Sequence, residues 1–244
     1  MQTLGHQPGH SRLLSKLAAN TALSDEDRSA LLALPVTVRS VAADRDIVAH
    51  GERPNHCTVL LEGFACRYKL APDGRRQILS LHVPGDMPDL QSLHVEAMDH
   101  GLAVLRPSLV ASIAHAHLIE LMEARPALAA AFWRETLVDA AIYREWLFGL
   151  GRREASARLA HLVSETAERF VSVGLAEHAA ALPLKQIQLA DALGLSPVHV
   201  NRVLKELRER HLLGASRSAI EVLDARGLAA FCAFNAGYLY LEAA

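Results

Sequence analysis

With 244 residues, 51% of them hydrophobic, and a net charge of −2, the chain can build one large domain or two smaller ones and has no polyelectrolyte character. No apolar run approaches the ~20 residues that cross a bilayer, and the N-terminal stretch lacks the apolar block of a secretion signal, so no membrane partner and a cytoplasmic location are expected. Three scattered cysteines, Cys57, Cys66 and Cys232, exclude a four-cysteine iron–sulfur cluster within one chain and give no zinc pattern.

Residues 12–34 read as helical, with Ser24 and Asp27 in a capping arrangement and Pro35 as the stop. From Val36 to Ile113 the pattern changes to short alternating runs broken by turn residues. The candidate strands are VTVRSV, DIVAHG, CTVLLEG, FACRYKL, RQILSLHV and GLAVL, with Pro72-Asp73-Gly74 as a hairpin signal. Many short strands at this spacing predict a barrel or jelly roll. Cys57 and Cys66 read as small buried hydrophobes on strands, with redox activity as the alternative. His115 and His117 stand two apart, and no metal site is expected.

After Ser112 the pattern is helical again. A short piece covers His115 to Met122, and Pro126 starts a long helix through Leu128, Phe132, Leu137, Ala141 and Trp146. Trp133, Tyr143, Trp146 and Phe148 give it an aromatic content too high for a solvated linker, so a homodimer seam through residues 126–148 is expected, with packing against its own barrel as the alternative. Gly149 and Gly151 predict a kink before Arg152 to Phe170. Gly174 to Pro183 reads as a connector of small residues.

The stretch from Gln186 to Leu207, QIQLADALGLSPVHVNRVLKEL, reads as a helix-turn-helix. Ile187, Leu189, Ala190 and Leu193 fall on one face of the first helix. Gly194 supplies the sharp turn, Ser196 the N-cap and Pro197 the first helical position. Val200, Val203, Leu204 and Leu207 form the inward stripe of the second helix. Pro197, Val198, Asn201, Arg202, Lys205 and Arg208 face outward. Arg202 suits guanine, Asn201 adenine, and Val198 the thymine methyl. The region from Pro183 to Arg226 carries a net charge of +2, in keeping with contact to phosphates through one face. Beyond it, Gly214 to Ser218 reads as a turn and Ala219 to Leu223 as a strand. Together they make a wing, with Arg217 and Ser218 near its tip as phosphate contacts. Leu228 to Leu241 reads as a final apolar helix.

The order of β-domain, long helix and winged helix-turn-helix resembles the Crp–Fnr family of bacterial transcription regulators over nearly the whole chain. HGERPNHCTVLLEGFACRYKLAPDGRRQILSLHVPGD resembles its central hairpins and Pro-Gly-Asp turn. GRREASARLAHLVSE resembles the segment after its dimerisation helix, and LADALGLSPVHVNRVLKELRERHLL its DNA-binding signature. The resemblance implies an α+β fold in three parts. Residues 1–122 would carry N-terminal helices and a cyclic-nucleotide-binding-like barrel, 123–173 the dimerisation helix and connector, and 174–244 the DNA-binding domain. It places Pro197, Val198, Asn201 and Arg202 in the groove and Ser196 and His199 on phosphates. Double-stranded DNA and RNA polymerase are the implied partners.

Cyclic-nucleotide-binding members of that family carry a Gly-Glu pair after the Pro-Gly-Asp turn and an Arg-Ser pair on the next segment. Here Leu90 stands near the glutamate's place, and Met98-Asp99-His100 where Arg-Ser is expected. Leucine cannot accept a ribose hydroxyl, and an aspartate repels a phosphate. The pocket near Gly85, Asp86, Leu90, Met98 and Asp99 is therefore expected to be degenerate, with no cofactor, no response to cyclic AMP and the effector left open. Asp86 and Asp89 form a carboxylate pair on a turn that they are expected to cap. The leading function is a homodimeric DNA-binding regulator. The alternative is a sensor of a small ligand or redox signal acting through protein contacts. With no nucleophile elbow, P-loop, GxGxxG or HExxH, no enzyme is expected.

Overall fold

A computed structural model describes residues 8–214 and 219–241. The chain divides into two compact units, one of Met1–Ala65 and His82–Asp139, the other of Cys66–Leu81 and Ala140–Tyr240.

The chain opens with α1 (Pro8–Ala18) and α2 (Asp25–Leu32). Ser24 caps α2, its Oγ accepting from the Asp27 amide at 3.1 Å. Strands β1 (Thr37–Val41), β2 (Asp46–Val48) and β3 (His56–Glu62) follow, then β4 (Ala65–Leu70) and β5 (Arg76–His82). Next come β6 (Gly101–Val104), β7 (Ser108–Ala114) and α3 (His115–Ala124). Within the first unit β7 lies between β1 and β3 in an antiparallel sheet, and β2 pairs with β6. These strands lie in separate sheets rather than in one closed barrel.

The sequence pattern misses β7, the middle strand of its sheet. SLVASIA is dominated by small residues with little strand preference, and pairing on both edges holds it extended all the same. Alternation along β3 serves two cores. Cys57, Val59 and Leu61 join Leu13 and Leu17 of α1, Leu31 of α2 and Ile113 of β7 in one. Leu60 joins Val41, Ile47, Met98, Leu102 and Val110 in the other.

The long helix α4 (Pro126–Arg152) continues through Gly149 and Gly151, so the expected kink lies later, and α5 (Ala155–Ser172) begins after a break at Arg153–Glu154. Gly149 makes room for a close approach: a Cβ there would lie 3.2 Å from Arg153 Nη1. Arg158 Nη1 donates to the carbonyl of Leu150 at 3.1 Å and satisfies the helix end. Leu128, Phe132 and Ala141 are buried, whereas Leu137, expected with them, is exposed. A step of five from Phe132 rotates it off that face. Outward along α4, Ala130, Trp133, Leu137, Ala140, Arg144, Leu147 and Gly151 recur at heptad spacing, with Trp133 64% and Leu147 71% exposed.

The chain ends with α6 (Ala176–Ala179), β8 (Ala181–Leu182), α7 (Gln186–Leu193), α8 (Pro197–Glu209), β9 (Ile220–Glu221) and α9 (Ala225–Phe231). The expected connector thus contains a strand, β8, which pairs antiparallel with β9. The expected final helix stops at Phe231. The Phe234 amide bonds back to the Ala229 carbonyl at 2.8 Å, Ala233 takes a positive φ of 50°, and Asn235 caps a separate turn at Ala236–Leu239.

Candidate nucleic-acid interface

Gly194 adopts φ 62°, the left-handed conformation that ends α7 and turns the chain into α8. Ser196 is the N-cap of α8, its Oγ accepting from the His199 amide at 3.2 Å, and Pro197 fills the first helical position. The Ser196 hydroxyl keeps its proton for an anion, and the amides of the first turn point the same way.

Val200, Val203, Leu204 and Leu207 are buried, and α8 packs on α7 and α5. Ala190, nearly inaccessible, is small where the two helices meet. Ile187, expected to face inward, is 52% exposed, and Gln188 takes the inward place. Its Oε1 accepts from the Lys185 amide at 2.8 Å, so a polar side chain is spent on capping the helix.

The outer face of α8 carries Val198, Asn201, Arg202 and Lys205 at a spacing that aligns them along one side, all exposed, with Val198 at 79%. Lys205 lies 3.7 Å from Glu209 across a solvated surface. Asn201 and Arg202 make no hydrogen bond or ion pair with another described residue. Their donors are free for a partner outside the chain. Arg208, expected in this row, is half-buried instead, its Nε donating to the Gly214 carbonyl at 3.0 Å. Arg217 and Ser218 lie outside the described residues. The base of the wing is held where the Gly214 amide donates to Glu221 O at 2.8 Å.

Beneath the helix pair lies a buried polar cluster. Glu165 of α5 is fully buried and accepts from Trp146 Nε1 at 3.1 and 3.2 Å and from the Tyr238 hydroxyl at 2.7 Å. Burial raises its carboxyl above the usual range, against the Arg169 guanidinium 3.6 Å away. Burial and the nearby Arg153 cation push the His161 imidazole down to about 4, although Glu145 lies 3.4 Å away. Trp146 and Tyr143, expected on the dimer helix's apolar content, thus serve the interior of their own unit. Tyr143 Oη accepts from Arg67 Nη1 at 3.0 Å.

In the first unit the five residues of the expected pocket have different surroundings. Asp86 is buried, its Oδ1 3.2 Å from Lys16 Nζ of α1 and its Oδ2 accepting from the Val83 amide at 3.1 Å. Lys16 also reaches Glu135 of α4 at 3.5 Å. Gly85, with φ 100°, lies under α1, where a Cβ would meet Lys16 Cβ at 2.9 Å. Leu90 packs against the core of α1 and β3, and Met98 fills the other core. Asp99 is exposed and pairs with His100. Asp86 thus caps the turn as expected, whereas Asp89 does not: its Oδ1 accepts from the Thr58 amide of β3 at 2.6 Å. A cyclic nucleotide needs an acceptor for its ribose and a cation for its phosphate. With Asp86 held by Lys16, and with Leu90 and Met98 packed, these residues do not fit one. Burial, with Asp89 second, pushes the Cys57 thiol up to about 12, which disfavours the reactive thiolate.

A Crp-like helix-turn-helix domain matches residues 157–231, and a cyclic nucleotide-binding domain matches residues 38–125. The nitrogen fixation regulation protein FixK of Bradyrhizobium diazoefficiens is 30% identical over 167 residues, covering 68% of this chain and 69% of that protein. The transcriptional activator protein FnrL of Cereibacter sphaeroides is 26% identical, over 77% of this chain and 76% of its own. The solved structure of FixK2 from Bradyrhizobium japonicum superposes with a TM-score of 0.72 at 24% identity, covering 81% of this chain and 98% of that one.

Proposed function

Because the chain belongs to the Crp–Fnr family of DNA-binding transcription regulators, we propose that it reads a pseudo-palindromic site as a homodimer, with α8 of each copy in successive major grooves about 34 Å apart. The observation that carries this reading is the exposed outer row of α8, in which Asn201 and Arg202 bond no other described residue. Arg202 presents its fork to guanine, Asn201 pairs with adenine, and Val198 meets a thymine methyl. Ser196, His199 and Lys205 take phosphates, with Arg217 and Ser218 on the wing, while Pro197 sets the entry of the helix. The heptad stripe of α4, from Ala130 to Leu147 within residues 126–148, supplies the dimer seam. The three-part division at 122 and 173 follows from these roles. Such a protein works in the cytoplasm, with RNA polymerase as a further partner, and acts without cyclic AMP.

Selection from random duplexes at physiological salt, with and without cyclic nucleotides, tests this. An inverted repeat enriched by the protein alone is the expected outcome. Replacing Arg202→Ala should cost about 1–3 kcal/mol on that site and little on random DNA. Enrichment only with a nucleotide would overturn the effector-free reading. An Arg202→Ala protein with unchanged discrimination would remove Arg202 from its role.

A further inference from the structure

Arg76 and Gln77 stand at the start of β5, while Asp191 and Ala192 lie in the last turn of α7. The two pairs are 115 residues apart in the chain and meet directly in the second unit. Arg76 Nε donates to Asp191 Oδ2 at 2.8 Å, with the two side chains only 24% and 17% exposed. Gln77 Nε2 donates to the Ala192 carbonyl at 3.3 Å. That carbonyl belongs to the end of α7, where no intrahelical amide remains to meet it. The hairpin of β4 and β5 is fixed in turn to the helices of its unit. Arg67 and Ser80 both bond the Tyr143 hydroxyl of α4, at 3.0 and 3.3 Å, and Arg169 of α5 donates to the Leu81 carbonyl at 2.8 Å.

We infer that Arg76 and Gln77 are positioning residues for DNA recognition, clasping the C-terminal turn of α7 so that α8 is presented at a fixed angle. The turn between α7 and α8 is only Gly194, Leu195 and Ser196, and the two helices pack on each other, so the orientation of α7 sets that of α8. A half-buried ion pair is screened less than a surface one and fixes its partners more firmly. Gln77 adds direction, because an amide donor aimed at a helix-end carbonyl fixes that end in place. The role in recognition rests on the DNA-reading function above. The clasp itself does not.

The test follows amide hydrogen exchange across residues 186–209 in the full-length protein, beside the affinity ratio of selected to random duplex. The variants are Arg76→Glu, the swapped pair Arg76→Glu with Asp191→Arg, and the conservative Arg76→Lys. Arg76→Glu should speed exchange in α7 about fivefold and lower the affinity ratio by a similar factor. The swapped pair should restore both, and Arg76→Lys should retain most of each. Unchanged exchange in Arg76→Glu, or a loss that the swapped pair does not reverse, would overturn the clasp. Faster exchange with an unchanged affinity ratio would overturn its role in recognition. Arg202→Ala separates the two readings, since it should lower discrimination and leave exchange untouched. If the wild-type protein selects no duplex, the DNA reading falls, and the exchange measurements still decide whether the clasp exists.

Discussion

At the scale of single residues, His161 is the group most at odds with its surroundings. It is buried beside the rings of Phe234 and Tyr238, at centroid distances of 5.2 and 5.9 Å. Its folded pKa of about 4 lies below the ordinary imidazole value of 6.5, so the unfolded chain binds the extra proton between those limits. The stabilising contribution is complete above pH 6.5 and is lost as the pH falls to about 4, on the order of 3 kcal/mol in all. Urea midpoints measured across that range should fall with acidity, and His161→Gln should flatten the profile. An unchanged slope in the variant would reassign the effect to other groups. Residues of this kind are where sequence reading is weakest. The inward stripe of α8 is legible because four apolar residues recur at helical spacing. Gln188 in place of Ile187 is not, because the exchange is decided by a capping bond and not by polarity.

At the scale of elements, α4 carries an outward heptad interrupted by one charge. Arg144 occupies the same register as Ala130, Leu137 and Gly151, and a charged residue at such a position trades stability for register. In a parallel homodimer the two Arg144 side chains face each other. Arg144→Leu should therefore tighten self-association about tenfold or more, and Leu147→Asp should weaken it, both read by sedimentation equilibrium. Insensitivity to both changes would move the dimer seam off this face. The aromatic richness of α4 is visible in the sequence, but its division is not. Trp133 and Phe148 point out, while Tyr143 and Trp146 find hydroxyl, guanidinium and carboxylate partners within the unit. Glycine was a poor guide to where α4 ends, since Gly149 serves packing against Arg153 and Arg158. The strand β7 is hidden for the opposite reason: its small residues carry no pattern, and its place comes from neighbours on both sides.

At the scale of the whole molecule, the region that matches a cyclic nucleotide-binding domain has its Pro-Gly-Asp turn occupied from within. Lys16 satisfies Asp86, and Met98 and Leu90 belong to packed cores. A ligand stabilises a protein only by binding its folded form, by about 2.7 kcal/mol at a hundredfold excess over Kd. Millimolar cyclic AMP should accordingly leave the melting temperature unchanged, and an upward shift would restore the nucleotide as effector. The order of domains was legible because the helix-turn-helix and the β-rich region each carry a local pattern. The pairing of Arg76 with Asp191 has no such signature, being made of two ordinary surface-type residues 115 positions apart.

That pairing also limits how the protein can be recombined. The second unit is discontinuous in sequence, drawing Cys66–Leu81 from the middle of the β-rich region. A chimera cut in the long helix, joining this reading head to a foreign sensor, would carry Asp191 away from Arg76 and leave the Ala192 carbonyl without Gln77. The transplantable module is the reading head together with its own hairpin. In such a chain the DNA-reading half and the β-rich half share one inheritance.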